Sequence, residues 1–225
     1  MKTLALSGWG QPHDALSHIA PDAHHLDYAH SKSVEEALAL IAEAGQGVQR
    51  IIGWSLGGQL AVRAIAAKLI APKQLVLIAV PFQFVADSPG SIGMKRDLYD
   101  KFLGNYARAP ERTLSKAWEL IVKGDAREEK VRGLAHAADK QAVMQRNWLR
   151  WLELLDGFSC AGLAFSHFPP TFLVQGAQDA VVGAQQMEYF AGAIPGATSL
   201  LLEDCGHAPH WHAPQMLKER IEAHV

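Results

Sequence analysis

Cysteine is scarce in this chain: Cys160 and Cys205 are the only two among 225 residues. That is too few to staple a domain of this size with disulfides, and neither sits in an activating motif, so both are expected to be reduced, partly buried thiols. Net charge is also small, at −2. No overall field draws the protein toward nucleic acid or a membrane surface, so neither is expected as a partner. Uninterrupted apolar stretches of ~18 residues are missing too, which excludes an ordinary membrane-spanning helix. The opening "MKTLALSGWG" carries one lysine and an apolar run that reaches Gly8 too soon for a secretion signal. It reads as a buried strand, and the protein as cytoplasmic.

What the chain does have is alternation. Strands are expected at Thr3–Ser7, more weakly at His24–Ala29, at Arg50–Trp54, Gln74–Val80, Thr171–Gly176 and Thr198–Asp204. Between them lie helix-like segments. Ser33 with Glu36 three residues on, and Gly45 at the far end, mark one of them by its caps. "QLVLIAV" shows no polar alternation, as in a strand buried on both faces. Strands alternating with helices imply a mostly parallel sheet covered on both sides. The rhythm stops between Phe82 and Phe165, where four helices are expected, at 94–106, 111–123, 127–138 and 141–155. Trp148, Leu149, Trp151, Leu152 and Leu155 form an apolar stripe in the last. The stripe packs the insertion onto the sheet or, in part, lines a substrate channel.

The most informative stretch is "IIGWSLGGQLAV". Gly53-Trp54-Ser55-Leu56-Gly57 is a G-x-S-x-G pattern with a strand before it and a helix after it. A serine on such a turn projects its hydroxyl from the sheet, and flanking glycines avoid collisions across the bend. The alternative is a glycine-rich turn that merely lets a helix pack close to a strand. A serine hydroxyl needs a base, and the base an orienting acid. Asp179, after "TFLVQG", and His207, in "EDCGHAPH", follow Ser55 in the chain order such elbows use. Asp204 and Glu203 are competing acids, but they stand too near His207 in sequence to be preferred. Developing oxyanion charge would be met by the backbone N–H of Leu56 and by one from "SGWG", that of Trp9. "HAPHWH" matches no strong zinc spacing, so no metal is expected, and His210 and His212 are expected as a solvated start to the last helix.

With "GWG" at 8–10, "GWSLGG" at 53–58, a helical insertion and "HAP" at 207–209, the sequence resembles the α/β-hydrolase superfamily over almost its whole length. Within it the chain is most similar to the esterases that demethylate a pimeloyl ester carried on acyl carrier protein in biotin synthesis. The resemblance implies Ser55, Asp179 and His207 as a triad, Trp9 and Leu56 as the oxyanion hole, and no cofactor. It divides the chain into a core, 1–81 and 166–225, and a lid, 82–165. Ser7 stands where the superfamily usually has histidine, and the usual N-terminal hairpin is missing, so about six strands are expected.

The 82–165 segment carries 13 Lys and Arg against 11 Asp and Glu, the remainder 8 against 12. A basic lid would suit an acidic carrier protein. Arg108, Arg112, Arg127, Arg132, Arg146 and Arg150 are candidates for that contact, against the alternative that each lies on a solvated helix face. Phe82, Arg108, Arg112 and Trp148 are the expected substrate contacts. A general short-chain carboxylesterase or thioesterase, acting on a small-molecule ester, would use the same motifs. So would a member of the fold that binds a ligand without turning it over.

Overall fold

A computed structural model describes residues 1–88 and 90–224. Six strands form one sheet: β1 (Thr3–Leu6), β2 (His24–His25), β3 (Arg50–Trp54), β4 (Gln74–Ile78), β5 (Thr171–Gly176) and β6 (Thr198–Leu202). All neighbouring pairs are parallel, in the order β2-β1-β3-β4-β5-β6. The chain starts in the interior of the sheet, runs to one edge at β2, and returns to the other side of β1 as β3. That reversal opens a crevice beyond the carboxyl ends of β1 and β3, where open parallel sheets hold their ligands.

Helices cover both faces, as parallel strands require. α1 (Val34–Ala44) is fixed at its start by the expected reciprocal cap. The Ser33 side chain accepts the Glu36 N–H, and Glu36 accepts the Lys32 N–H. α2 (Leu56–Ala66) leaves β3 at Ser55 and is buried on nearly every side. Every residue of β4 and β5 is buried, in keeping with their unbroken apolar runs. The second expected strand shrinks to two residues: beyond His25, Asp27 turns back to accept the Ala29 N–H. After β5 come α8 (Gln186–Ala193), β6, the single turn α9 (Pro209–His212) and α10 (Pro214–Ala223). The sequence predicts this last helix over 213–225, and Val225 lies outside the described residues.

Between β4 and β5 stand α3 (Arg96–Arg108), α4 (Pro110–Val122), α5 (Glu128–His136), α6 (Lys140–Met144) and α7 (Trp148–Leu155). The helix expected at 141–155 is two helices. Tertiary bonds pull the chain apart between them: the Asn147 N–H donates to the Ala29 carbonyl, the Asn147 amide to the His30 and Ser31 carbonyls, and Arg146 pairs with Asp27 at 2.7 Å. Two tryptophans tie this insertion to the loop after β1. Trp118 donates from its indole to the Gly10 carbonyl at 2.9 Å, and Trp9 to the Trp148 carbonyl at 2.9 Å. Among the described residues no helix is long and apolar enough to cross a membrane.

Candidate active site

Ser55 sits at the β3–α2 junction with φ 52° and ψ −119°, a conformation L-residues with side chains rarely adopt. It is held there by its backbone: its N–H donates to the Ile78 carbonyl at 3.0 Å, and its carbonyl accepts from Gln59 N–H at 3.1 Å. The glycines have steric reasons. A Cβ on Gly57 would fall 2.2 Å from the Leu6 carbonyl oxygen, and one on Gly53 would fall 2.5 Å from the Gly58 Cα. The helix therefore starts almost in contact with the strands. This leaves the Leu56 N–H as the first of α2, with no carbonyl of the helix ahead of it to bond.

The loop after β1 closes over the same point. A Cβ at Gly8 would lie 3.4 Å from the Ser55 Cβ and from the Trp54 ring, an ordinary contact distance. Tyr28 donates to the Ser7 carbonyl at 2.6 Å and fixes the start of the loop. The Trp9 indole stands edge-on against Phe102, Tyr106 and Trp148. The Trp9 backbone N–H donates no hydrogen bond among the described residues.

Asp179 follows β5 and His207 follows β6, as the spacing predicts. His207 Nδ1 lies 2.7 Å from Asp179 Oδ2, and the Asp179 side chain is fully buried. The carboxylate is otherwise satisfied: Oδ1 accepts the Val181 and Val182 N–H groups, each at 2.8 Å, and Oδ2 the Gln175 amide at 2.8 Å. A carboxylate only accepts, so Nδ1 carries the imidazole proton and Nε2 is left as the basic nitrogen. Ser55 and His207 line one cavity of about 590 Å³. No hydrogen bond joins them among the described residues. A serine hydroxyl and an oriented imidazole lining one cavity, with N–H donors of the loop after β1 and of the start of α2 near the serine, form an arrangement suited to acyl transfer.

The two competing acids are both exposed, Glu203 accepting the Gln178 amide on its backbone carbonyl at 3.1 Å. Asp204 is exposed, and among the described residues only its backbone carbonyl is engaged, by the Ala126 N–H at 2.8 Å.

The cavity lies between the carboxyl edge of the sheet and the insertion. Its apolar wall includes Phe84, Leu98, Phe102, Leu120, Leu152 and Leu155. None of the four expected substrate contacts lines it. Trp148 is buried against Trp9, with its indole donating to the Val143 carbonyl. Leu152 and Leu155 of the same stripe reach the cavity instead, one turn and two turns later. Phe82 joins an aromatic group with Phe165, Tyr189 and Phe190. Arg108 and Arg112 are exposed outside the cavity, Arg108 bonded to Asn105. The other four candidate arginines are engaged: Arg127 with the His212 carbonyl, Arg132 with Glu119 and Glu128, Arg146 with Asp27 and Arg150 with Glu153. The cations that do line the cavity are Lys95 and Lys101, with Asn105 beside them. The sequence had offered them only as part of the helix expected at 94–106.

His210 and His212 are buried, not solvated. His210 lies against Trp54 at 4.4 Å between ring centres. His212 Nδ1 lies 2.8 Å from Asp125 Oδ1, a second buried imidazole–carboxylate pair. Asp125, Cys205 and His212 bring an oxygen, a sulfur and a nitrogen within 4.8 Å of one another, which is a conceivable donor set for a divalent metal. The carboxylate, however, is already spent on N–H donors from Arg127, Gly206 and His212. Burial, with Asp125 and Asp179 adding to it, also holds the Cys205 thiol well above its ordinary pKa, away from the thiolate a metal needs. The cluster is a hydrogen-bonded bracket. Cys160 is likewise free and fully buried, its thiol pushed up to about 12 by burial.

Residues 3–219 match the family model described as "Alpha/beta hydrolase family". A protein of Nitrosomonas europaea named pimeloyl-[acyl-carrier protein] methyl ester esterase is 27% identical over 85% of this chain and 77% of its own length. One of the same name from Aromatoleum aromaticum is 30% identical over 76% of this chain and 72% of its own length. Among solved structures, an esterase from Exiguobacterium antarcticum superposes with a TM-score of 0.80 at 16% identity, over 99% of this chain and 91% of that one.

Proposed function

The chain belongs to the alpha/beta hydrolase family, and on that premise we infer that it is a carboxylic ester hydrolase working through an acyl-enzyme on Ser55. His207, fixed by Asp179, takes the Ser55 proton as the hydroxyl attacks the ester carbonyl. The N–H groups of Leu56 and Trp9 receive the oxyanion. His207 then hands its proton to the departing alkoxide, and a water molecule repeats the sequence to release the acid. The observation that carries this reading is the 2.7 Å bond between His207 Nδ1 and the buried carboxylate of Asp179, at the edge of the cavity that Ser55 also lines. Residues 82–165 act as a lid over a core made of 1–81 and 166–225.

The finer reading is that the ester is the methyl ester of a pimeloyl chain borne on acyl carrier protein. The activity in the relatives' names supports it. So does the cavity: its apolar wall suits a methylene chain, and Lys95 and Lys101 supply positive charge for an acidic carrier. The test is methanol release from the methyl ester of pimeloyl-acyl carrier protein, compared with hydrolysis of a short p-nitrophenyl ester, together with rescue of a biotin-requiring strain that lacks such an esterase. Turnover of both substrates with rescue supports the finer reading. Turnover of the nitrophenyl ester alone leaves a general short-chain esterase, and turnover of neither leaves a binding protein.

A further inference from the structure

The segment that carries His207 is held from two sides. On one side the Gln178 N–H, beside Asp179, donates to the Cys205 carbonyl at 2.9 Å. On the other side stands the insertion. The His207 N–H donates to the Ile121 carbonyl at 3.0 Å, at the end of α4, and the Ala126 N–H donates to the Asp204 carbonyl at 2.8 Å. At the centre of this second contact is Asp125, whose side chain is fully buried. Its Oδ2 accepts the Gly206 N–H at 3.0 Å, and its Oδ1 accepts the Arg127 N–H at 2.7 Å and His212 Nδ1 at 2.8 Å. Arg127 closes the ring from its guanidinium to the His212 carbonyl at 2.7 Å. One carboxylate thus joins the turn between α4 and α5, the residue before His207, and the helical turn after it.

We propose that Asp125 is a positioning residue for His207: it clamps the peptide before His207 to the α4–α5 turn and so sets the imidazole at its working distance from Ser55. The inference rests on Ser55 and His207 acting as the nucleophile and base assigned above. A buried carboxylate with three N–H partners is costly unless all three bonds are made, so its place is strongly determined. It anchors the backbone of the His207 loop to the insertion, whereas Asp179 bonds the imidazole itself. Asp179 fixes which way the ring turns, and Asp125 fixes where its backbone stands. Because Asp125 belongs to the insertion, the same bond makes the geometry of His207 depend on how that segment is seated.

Asp125→Asn is the informative change. Asparagine offers one acceptor oxygen where aspartate offers two. Either Gly206, or Arg127 with His212, must then face an amino group. The measurement is steady-state hydrolysis of a p-nitrophenyl ester, with active sites counted by a fluorophosphonate that labels Ser55. A purely structural role would lower the number of labelled sites and leave turnover per site unchanged. The positioning role predicts kcat per labelled site lowered roughly tenfold to a hundredfold, with KM within about twofold, since the misplaced group acts in the transition state. Asp125→Ala should lose more than Asp125→Asn. Turnover per site within twofold of wild type in Asp125→Asn would overturn the proposal. If neither variant can be purified, His212→Gln serves: it unpins Asp125 but leaves the Gly206 bond possible. A fall of roughly twofold to fivefold per site would support the proposal there, and no change would overturn it. Failure of the wild type to be labelled at Ser55 would instead defeat the hydrolase assignment itself.

Discussion

His207 and Asp179, 28 residues apart, meet through a 2.7 Å bond between Nδ1 and Oδ2 with both side chains out of solvent. Asp204, only three residues from His207, is exposed and among the described residues bonds through its backbone alone. Asp179→Asn should therefore lower kcat by roughly 10³- to 10⁴-fold, because the amide favours the wrong imidazole tautomer. Asp204→Asn should stay within about threefold of wild type, as is usual for an exposed side chain away from the chemistry. Steady-state kinetics on a nitrophenyl ester with both variants decides it, and the reverse ranking would assign the acid to Asp204.

The elbow glycines give a stability prediction. A Cβ at Gly57 meets backbone, 2.2 Å from the Leu6 carbonyl oxygen, where nothing soft can yield. Gly57→Ala should cost about 3 kcal/mol or more, the upper range for overpacking. Gly104, inside α3, has no atom within 4 Å of a built Cβ, so Gly104→Ala should be neutral or stabilise by up to about 1 kcal/mol through helix propensity. Urea unfolding of the two variants measures the contrast. Equal midpoints would mean that the close strand–helix approach is not what demands Gly57.

His210 sets an acid limit on the fold. It is fully buried, and neither ring nitrogen has a partner among the described residues. Burial first, then His207 and His18, hold its pKa well below the ordinary 6.5. Below about pH 6.5 the unfolded chain therefore takes up a proton that the folded chain refuses. Stability falls through that window by up to about 1.4 kcal/mol per pH unit. His210→Phe removes this term. Unfolding midpoints of the two proteins should run parallel above pH 7 and separate in favour of the variant between pH 6.5 and 5. Parallel curves throughout would show that His210 does not titrate on unfolding.

Much of the site was legible because its signals are local or follow chain order. A serine between glycines at a strand–helix junction, and an acid and a histidine after later strands, need no knowledge of packing. The insertion was less legible. Its stripe marked an apolar face, yet periodicity alone could not say that Trp148 spends its ring on Trp9 while Leu152 and Leu155 reach the cavity. The break at 145–147 is tertiary, made by bonds from Arg146 and Asn147 to residues 27–31. "HAPHWH" looked like a polar helix start because nothing near it in sequence reveals Trp54 or Asp125, the partners that bury His210 and His212.

Lys95 and Lys101 are exposed at the cavity and make no ion pair among the described residues. If the substrate rides on an acidic carrier, Lys95→Glu with Lys101→Glu should slow the carrier-borne ester by an order of magnitude or more. The neutral nitrophenyl ester should change by less than about threefold. Rising salt should mimic the change for the carrier-borne ester alone, since exposed charges are screened beyond about 8 Å at physiological ionic strength. Arg108 and Arg112, outside the cavity, should add only a smaller salt-sensitive part. Parallel responses of the two substrates would remove the case for a carrier.

The central claim is that Ser55 is the nucleophile, and Ser55→Ala tests it most directly. The variant should fold with an unchanged unfolding midpoint, within about 1 kcal/mol, because little more than an oxygen is lost at a residue whose backbone bonds remain. Its kcat on a p-nitrophenyl ester should fall by roughly 10⁴-fold or more, leaving only what binding and the oxyanion donors supply. A folded Ser55→Ala protein that hydrolyses the ester within tenfold of the wild-type rate would contradict the account.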